Sequence, residues 1–85
     1  MERRIHESAY KHGIGAADML HAMTHDEMIE AIDDDKHLYL GWSADGAMLE
    51  VISYLPRHDL EVVVHAMPIR RRYLSRLPEP GADDE

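Results

Sequence analysis

The sequence predicts a single α+β domain of two short N-terminal helices, a four-stranded antiparallel sheet and a C-terminal helix. Three observations lead there. Ala16, Met19, Leu20 and Met23 recur at helical spacing early in the chain. Three later runs, within residues 37 to 66, alternate with a period of two and are separated by turn signals. Arg70, Arg71, Arg72 and Arg76 then cluster just after Pro68, a residue suited to the first turn of a helix because its missing N–H is no loss there.

Taken in order, Ile5 to His12 reads as the first helix, with Ile5 and Ala9 on one face and Gly13 as its C-terminal cap. Ala16 to Met23 reads as the second, with Asp18 in the first turn, where the helix dipole favours an anion. Glu27 to Ile32 reads as a strand, and Asp33-Asp34-Asp35 as the turn after it. His37 to Trp42 is the next strand. Ser43-Ala44-Asp45-Gly46 is a hairpin turn, because Asp-Gly tolerates positive φ. Met48 to Leu55 and Leu60 to Ala66 complete the sheet, and a helix from Ile69 to Leu77 follows. The domain thus spans 1–77, and 78–85 reads as a disordered acidic tail.

Composition narrows the function classes. With 85 residues there is room for one domain, and a domain of that size buries only about 60–65% of its unfolded surface, so it stands to gain from a partner or a second copy of itself. The chain has no cysteine, which removes disulfide scaffolds, cysteine zinc sites and thiol nucleophiles and agrees with a cytoplasmic location. No apolar run approaches the roughly 20 residues of a membrane span. The net charge of −8 argues against broad nucleic-acid binding, yet five of the nine Lys and Arg residues fall between Arg57 and Arg76, a local patch suited to one phosphate-rich ligand.

The alternation also suggests a register. If Leu38, Leu40 and Trp42 face the helices with Leu49, Val51 and Leu55, pairing Leu40 with Val51 and Val51 with Val64, the other face carries His37, Tyr39, Glu50, Tyr54, Glu61 and His65. Carboxylates, histidines and tyrosines on one surface, with arginines just beyond its end, are the parts needed for acid–base chemistry on a phosphodiester. Glu50 or His65 is the candidate base. Arg70, Arg71 or Arg72 is the candidate phosphate clamp, with at most two of the three facing the site because each helical step turns ~100°. Tyr39 or Tyr73 is the candidate for stacking on a base. The same residues read equally well as a half-solvated sheet face and solvated helix arginines.

Lys11-His12-Gly13-Ile14, a short gap and the amphipathic Ala17-Asp18-Met19-Leu20 helix resemble the start of BrnT-type toxins. The Leu40-Gly41 strand, the Asp45-Gly46 turn, an apolar strand and a basic C-terminal helix continue the likeness over roughly residues 3 to 77. His65-Ala66-Met67 with Arg70 to Tyr73 is similar to small actinobacterial toxin-type proteins. BrnT resembles the RelE group, so the likeness implies a RelE-like fold and an endoribonuclease toxin of a type II toxin–antitoxin system, neutralised by a DNA-binding antitoxin. Lys11 and His12 match residue for residue and enter as substrate-binding candidates on that ground. BrnT toxins carry a Ser-Ala-Arg-Lys-like segment where this chain has His65-Ala66-Met67-Pro68, so no catalytic residue is carried over there.

Two other patterns compete. Asp18, His21 and His25 share one helix face at metal-ligand spacing, but seven histidines in 85 residues make such spacings common, and neither a metal nor another cofactor is expected. Five methionines, from Met19 to Met67, serve as core filler in a chain without phenylalanine. The expected function is therefore a toxin-like ribonuclease acting on RNA, with a non-catalytic protein-interaction or regulatory module of the same fold as the alternative.

Overall fold

In the computed structural model, which describes residues 1–77, the polar run at the N-terminus is a strand rather than the lead-in to a helix. Arg3 in β1 (Glu2–Ile5) lies beside Glu61 in β5 (Leu60–Pro68), and its Nε donates to the Glu61 carboxylate at 2.9 Å. The pairing brings a cation to a buried anion, a stronger demand than the weak strand preference of a charged segment. Ile5 ends this strand, and Glu7–His12 forms a 3-10 turn in place of the expected helix from Ile5 to His12. Gly13 closes that turn at φ 82, a left-handed conformation that glycine adopts without strain.

The remaining elements are α1 (Ala16–Thr24), β2 (Asp26–Asp33), β3 (Lys36–Trp42), β4 (Met48–Arg57) and the single turn α2 (Arg71–Leu74). The strand order is β1-β5-β4-β3-β2, with β1 parallel to β5 and every other neighbour antiparallel. The architecture is α+β, but the expected two helices, four antiparallel strands and long final helix give way to a five-stranded mixed sheet with little helix at either end. Pro68 belongs to β5 rather than starting a helix, and α2 covers only Arg71 to Leu74 of the expected Ile69 to Leu77. The expected disordered tail, 78–85, lies outside the described residues. Among the described residues no helix is long and apolar enough to cross a membrane.

The register is displaced from the predicted one by one residue between β3 and β4, which exchanges their faces, and by two residues between β4 and β5 at Val51. Leu40 pairs with Glu50, Tyr39 with Val51, and Val51 with Ala66. Tyr39, Leu49, Val51, Val63 and Ala66 therefore face α1, where Met19, Ala22 and Met23 meet them, with Ala9 of the 3-10 turn in the same cluster. Leu38 and Leu40 face the opposite side, where they meet Tyr73, with Met28, Met48, Ile52, Ile69 and Leu77 packed around. The C-terminal segment thus covers the second face of the sheet. Because β3 and β4 are covered on both sides, apolar residues occupy both parities and alternation no longer identifies one inward face.

Helix α1 lies so close to β3 that Gly41 is a packing requirement. A Cβ built there would overlap the Ala22 carbonyl, which belongs to helix backbone and cannot swing aside. Gly15, just ahead of α1, has nothing within 4 Å of such a Cβ and an ordinary extended backbone. Gly41→Ala should therefore cost about 1–3 kcal/mol by overpacking, whereas Gly15→Ala should be neutral or stabilising by up to about 1 kcal/mol. Urea denaturation of both variants checks this; equal effects at the two sites would contradict the close approach.

Candidate functional site

Two buried carboxylates organise the polar chemistry, one on each face of the sheet. On the α1 face, Glu61 accepts from Arg3 Nε at 2.9 Å, from Ser53 Oγ at 2.6 Å and from the Tyr39 hydroxyl. Burial alone would raise the Glu61 carboxyl, but hydrogen bonds from Ser53, Tyr39 and Arg3 outweigh it and hold the group below its usual range. Tyr39 is pushed up to about 12, first by burial and then by its hydrogen bond to Glu61 and that group's charge. This cluster is saturated, and its role is to anchor β1. Tyr39, a predicted stacking residue, is consumed by it, on the face opposite His65.

On the other face, Glu50 has no solvent exposure. Its Oε2 accepts from His65 Nε2 at 2.8 Å and from Arg70 Nε and Nη2 at 3.0 and 2.7 Å. Its Oε1 accepts from the Arg70 backbone N–H at 2.8 Å. Burial again pushes the carboxyl up, and the Arg70 and His65 hydrogen bonds prevail and keep it below the ordinary value. The geometry assigns Glu50 to holding its partners rather than to meeting a substrate.

Local irregularities aim the exposed members. In β5, His65 pairs with Ile52 and Val63 with Ser53, so Val64 is an extra residue, a bulge of the kind that re-aims neighbouring side chains. Where β1 ends, the 3-10 turn takes over the edge of β5. Its Ser8 hydroxyl donates to the Val64 carbonyl at 2.8 Å. The end of that turn carries the His12 ring to His65, edge to face, with centroids 5.6 Å apart. His12 and the preceding Lys11 are exposed, His65 is part-buried, and the Arg70 side chain is 40% exposed. A solvent-facing group of His12, His65 and Arg70 thus stands on a buried glutamate, close to a basic turn.

The other predicted residues fall as follows. Arg71 and Arg72 are exposed on α2. Tyr73 is buried against Leu38 and Leu40, and the Arg70, Arg72 and Arg76 guanidinium carbons lie 5.6, 5.0 and 5.7 Å from its ring centroid. It serves the core and the arginine cluster, and its ring is not free to stack on a base. His21 and His25 stack at 3.8 Å, with His21 Nδ1 bonded to the Trp42 carbonyl, and among the described residues no three histidine, aspartate or glutamate side chains form a metal site. Sequence reasoning placed Glu50, His65 and Arg70 near one another but missed the contact between His12 and His65, which depends on the 3-10 turn, and the role of Arg3.

The pH dependence of stability follows from both clusters. Glu50 and Glu61, each lowered from 4.5, contribute stability that is complete above that value and is lost as pH falls through the folded values. Tyr39, raised from 10.0 to about 12, contributes stability present below 10 and lost as pH rises toward 12. Melting temperature against pH should therefore fall at both ends, and Glu61→Gln should flatten both limbs while costing on the order of 3 kcal/mol near neutrality through hydrogen bonds left poorly paired. Unaltered limbs in that variant would contradict the assignment.

No family model, no curated protein and no solved structure matches the chain.

Proposed function

We propose that the chain is a toxin-like endoribonuclease of a type II toxin–antitoxin pair, kept inactive by a cognate DNA-binding antitoxin. The observation that carries this reading is His65, held by the fully buried Glu50 beside Arg70 and in ring contact with His12. The likeness of Lys11-His12-Gly13 and of the segment from His65 to Tyr73 to BrnT-type and related toxins points the same way.

The roles divide by access to solvent. Glu50 is enclosed, with hydrogen bonds on both oxygens, so of the two candidate bases His65 is the one that reaches a substrate. Glu50 fixes the His65 ring, as a carboxylate behind a histidine does in many hydrolytic sites. Arg70 keeps part of its guanidinium outside and can donate to a phosphate while still tied to Glu50. Arg71 and Arg72, exposed and about 100° apart around the α2 axis, supply charge to the flanking backbone. A net charge of −8 repels RNA elsewhere on the molecule, which confines engagement to this basic segment.

One observation favours a second reading, a non-catalytic interaction module. Strand β2 is a sheet edge of eight residues with Ile29 and Ile32 exposed, and such an edge can accept a strand from another protein. Induced expression in a bacterial host separates the two. Wild type should arrest growth and degrade RNA, His65→Ala should lower cleavage by about 10²–10⁴-fold with its melting curve intact, and co-expression of the adjacent gene product should restore growth. A wild type that neither arrests growth nor cuts RNA would leave the interaction module as the better account.

A further inference from the structure

We infer that His12 is a second catalytic residue, and that His12 and His65 together make a two-histidine site in which one ring removes a proton and the other supplies one. This inference rests on the ribonuclease reading and specifies its chemistry.

The two rings come from elements 53 positions apart in sequence, and two features join them: the anchoring of the 3-10 turn on Val64 and the bulge that turns His65 toward Glu50. Their settings differ. His65 Nε2 is committed to Glu50, which fixes that ring and leaves Nδ1 as its free nitrogen. His12 is exposed, and none of the hydrogen bonds among the described residues uses its ring. One fixed and one free imidazole, with Arg70 beside the first, match the needs of a transphosphorylation. That reaction requires one proton to be removed and another to be supplied on either side of a single phosphorus, with a cation on the non-bridging oxygens.

The step balances without a cofactor. The ribose 2′-oxygen attacks the adjacent phosphorus as its proton passes to one neutral imidazole. The bond from phosphorus to the 5′-oxygen breaks, and that oxygen takes a proton from the other, protonated imidazole. The products are a 2′,3′-cyclic phosphate and a free 5′-hydroxyl, and the two rings have exchanged protonation states. Lys11, next to His12 in sequence and exposed, adds positive charge near that ring.

A single-stranded RNA oligonucleotide, and the same oligonucleotide with 2′-deoxy substitution throughout, test this with purified full-length protein. Wild type should leave cyclic phosphate ends on the RNA and leave the deoxy strand intact. His12→Ala and His65→Ala should each lower the cleavage rate by about 10²–10⁴-fold, and the double variant should lose less than the product of the two, as residues acting as a unit do. His58→Ala, altered at an exposed turn position, should keep full activity, and melting curves should show all variants folded. If wild type cuts RNA while His12→Ala keeps its rate, or if the deoxy strand is cut, the two-histidine inference fails and the ribonuclease reading survives. If wild type cuts no RNA, both fail.

Discussion

A carboxylate with no solvent exposure has to be surrounded by donors, and in this chain Glu50 meets that requirement with His65 in β5 and with Arg70 beyond the end of its sheet. The Arg70 backbone N–H and guanidinium reach back to it just after β5 ends. That attachment brings the C-terminal segment across the sheet, where Tyr73, Ile69 and Leu77 cover Leu38 and Leu40. Without it, a single helical turn of four residues has too few internal hydrogen bonds to persist. The same carboxylate orients His65, so one buried charge sets both the covering of a face and the placement of a reactive side chain. The dependence runs both ways, since removing the donors would leave an unpaired charge in a low-dielectric interior.

Glu61 repeats the device on the other face and at the other end of the chain. There the donor is Arg3, and the segment it secures is β1. Strand β1 and the segment just after β5 are each held by an arginine to a glutamate planted in an inner strand of the sheet, which suits a small domain whose apolar core alone is limited. The arrangement also confines positive charge. Arg3 and Arg70 are engaged by buried acids, Arg76 is paired with Glu30, and Arg71 and Arg72 remain exposed on α2, Arg72 over the Tyr73 ring.

Much of this was legible in the sequence where local signals are strong. The amphipathic stripe from Ala16 to Met23, the Asp45-Gly46 hairpin and the strands around Leu40, Val51 and Val63 stand where their patterns place them. The failures share a cause. Alternation reports one buried face, but β3 places Leu38, Tyr39, Leu40 and Gly41 in sequence, all buried, so two registers fit equally well. Strand β1 is polar because its partner is a buried glutamate, a tertiary demand with no local signature. The arginine run promises a helix by composition, whereas hydrogen bonds to Glu50 hold its first member extended, at φ −90 and ψ 155, and shorten the helix. Glu50, His65 and Arg70 were recognisable as reactive types close in the fold, but the division of labour among them depends on burial.

The central claim is that Glu50 fixes the His65 ring and thereby builds a reactive surface on a small acidic domain. Long-range ¹H–¹⁵N spectroscopy of the histidine rings measures it directly. The account predicts a single fixed ring for His65 with its proton on Nε2, slow to exchange with solvent, and a clear change in that signal in Glu50→Gln while His58 stays as it was. A His65 signal like that of a freely rotating surface histidine, unmoved by Glu50→Gln, would contradict it.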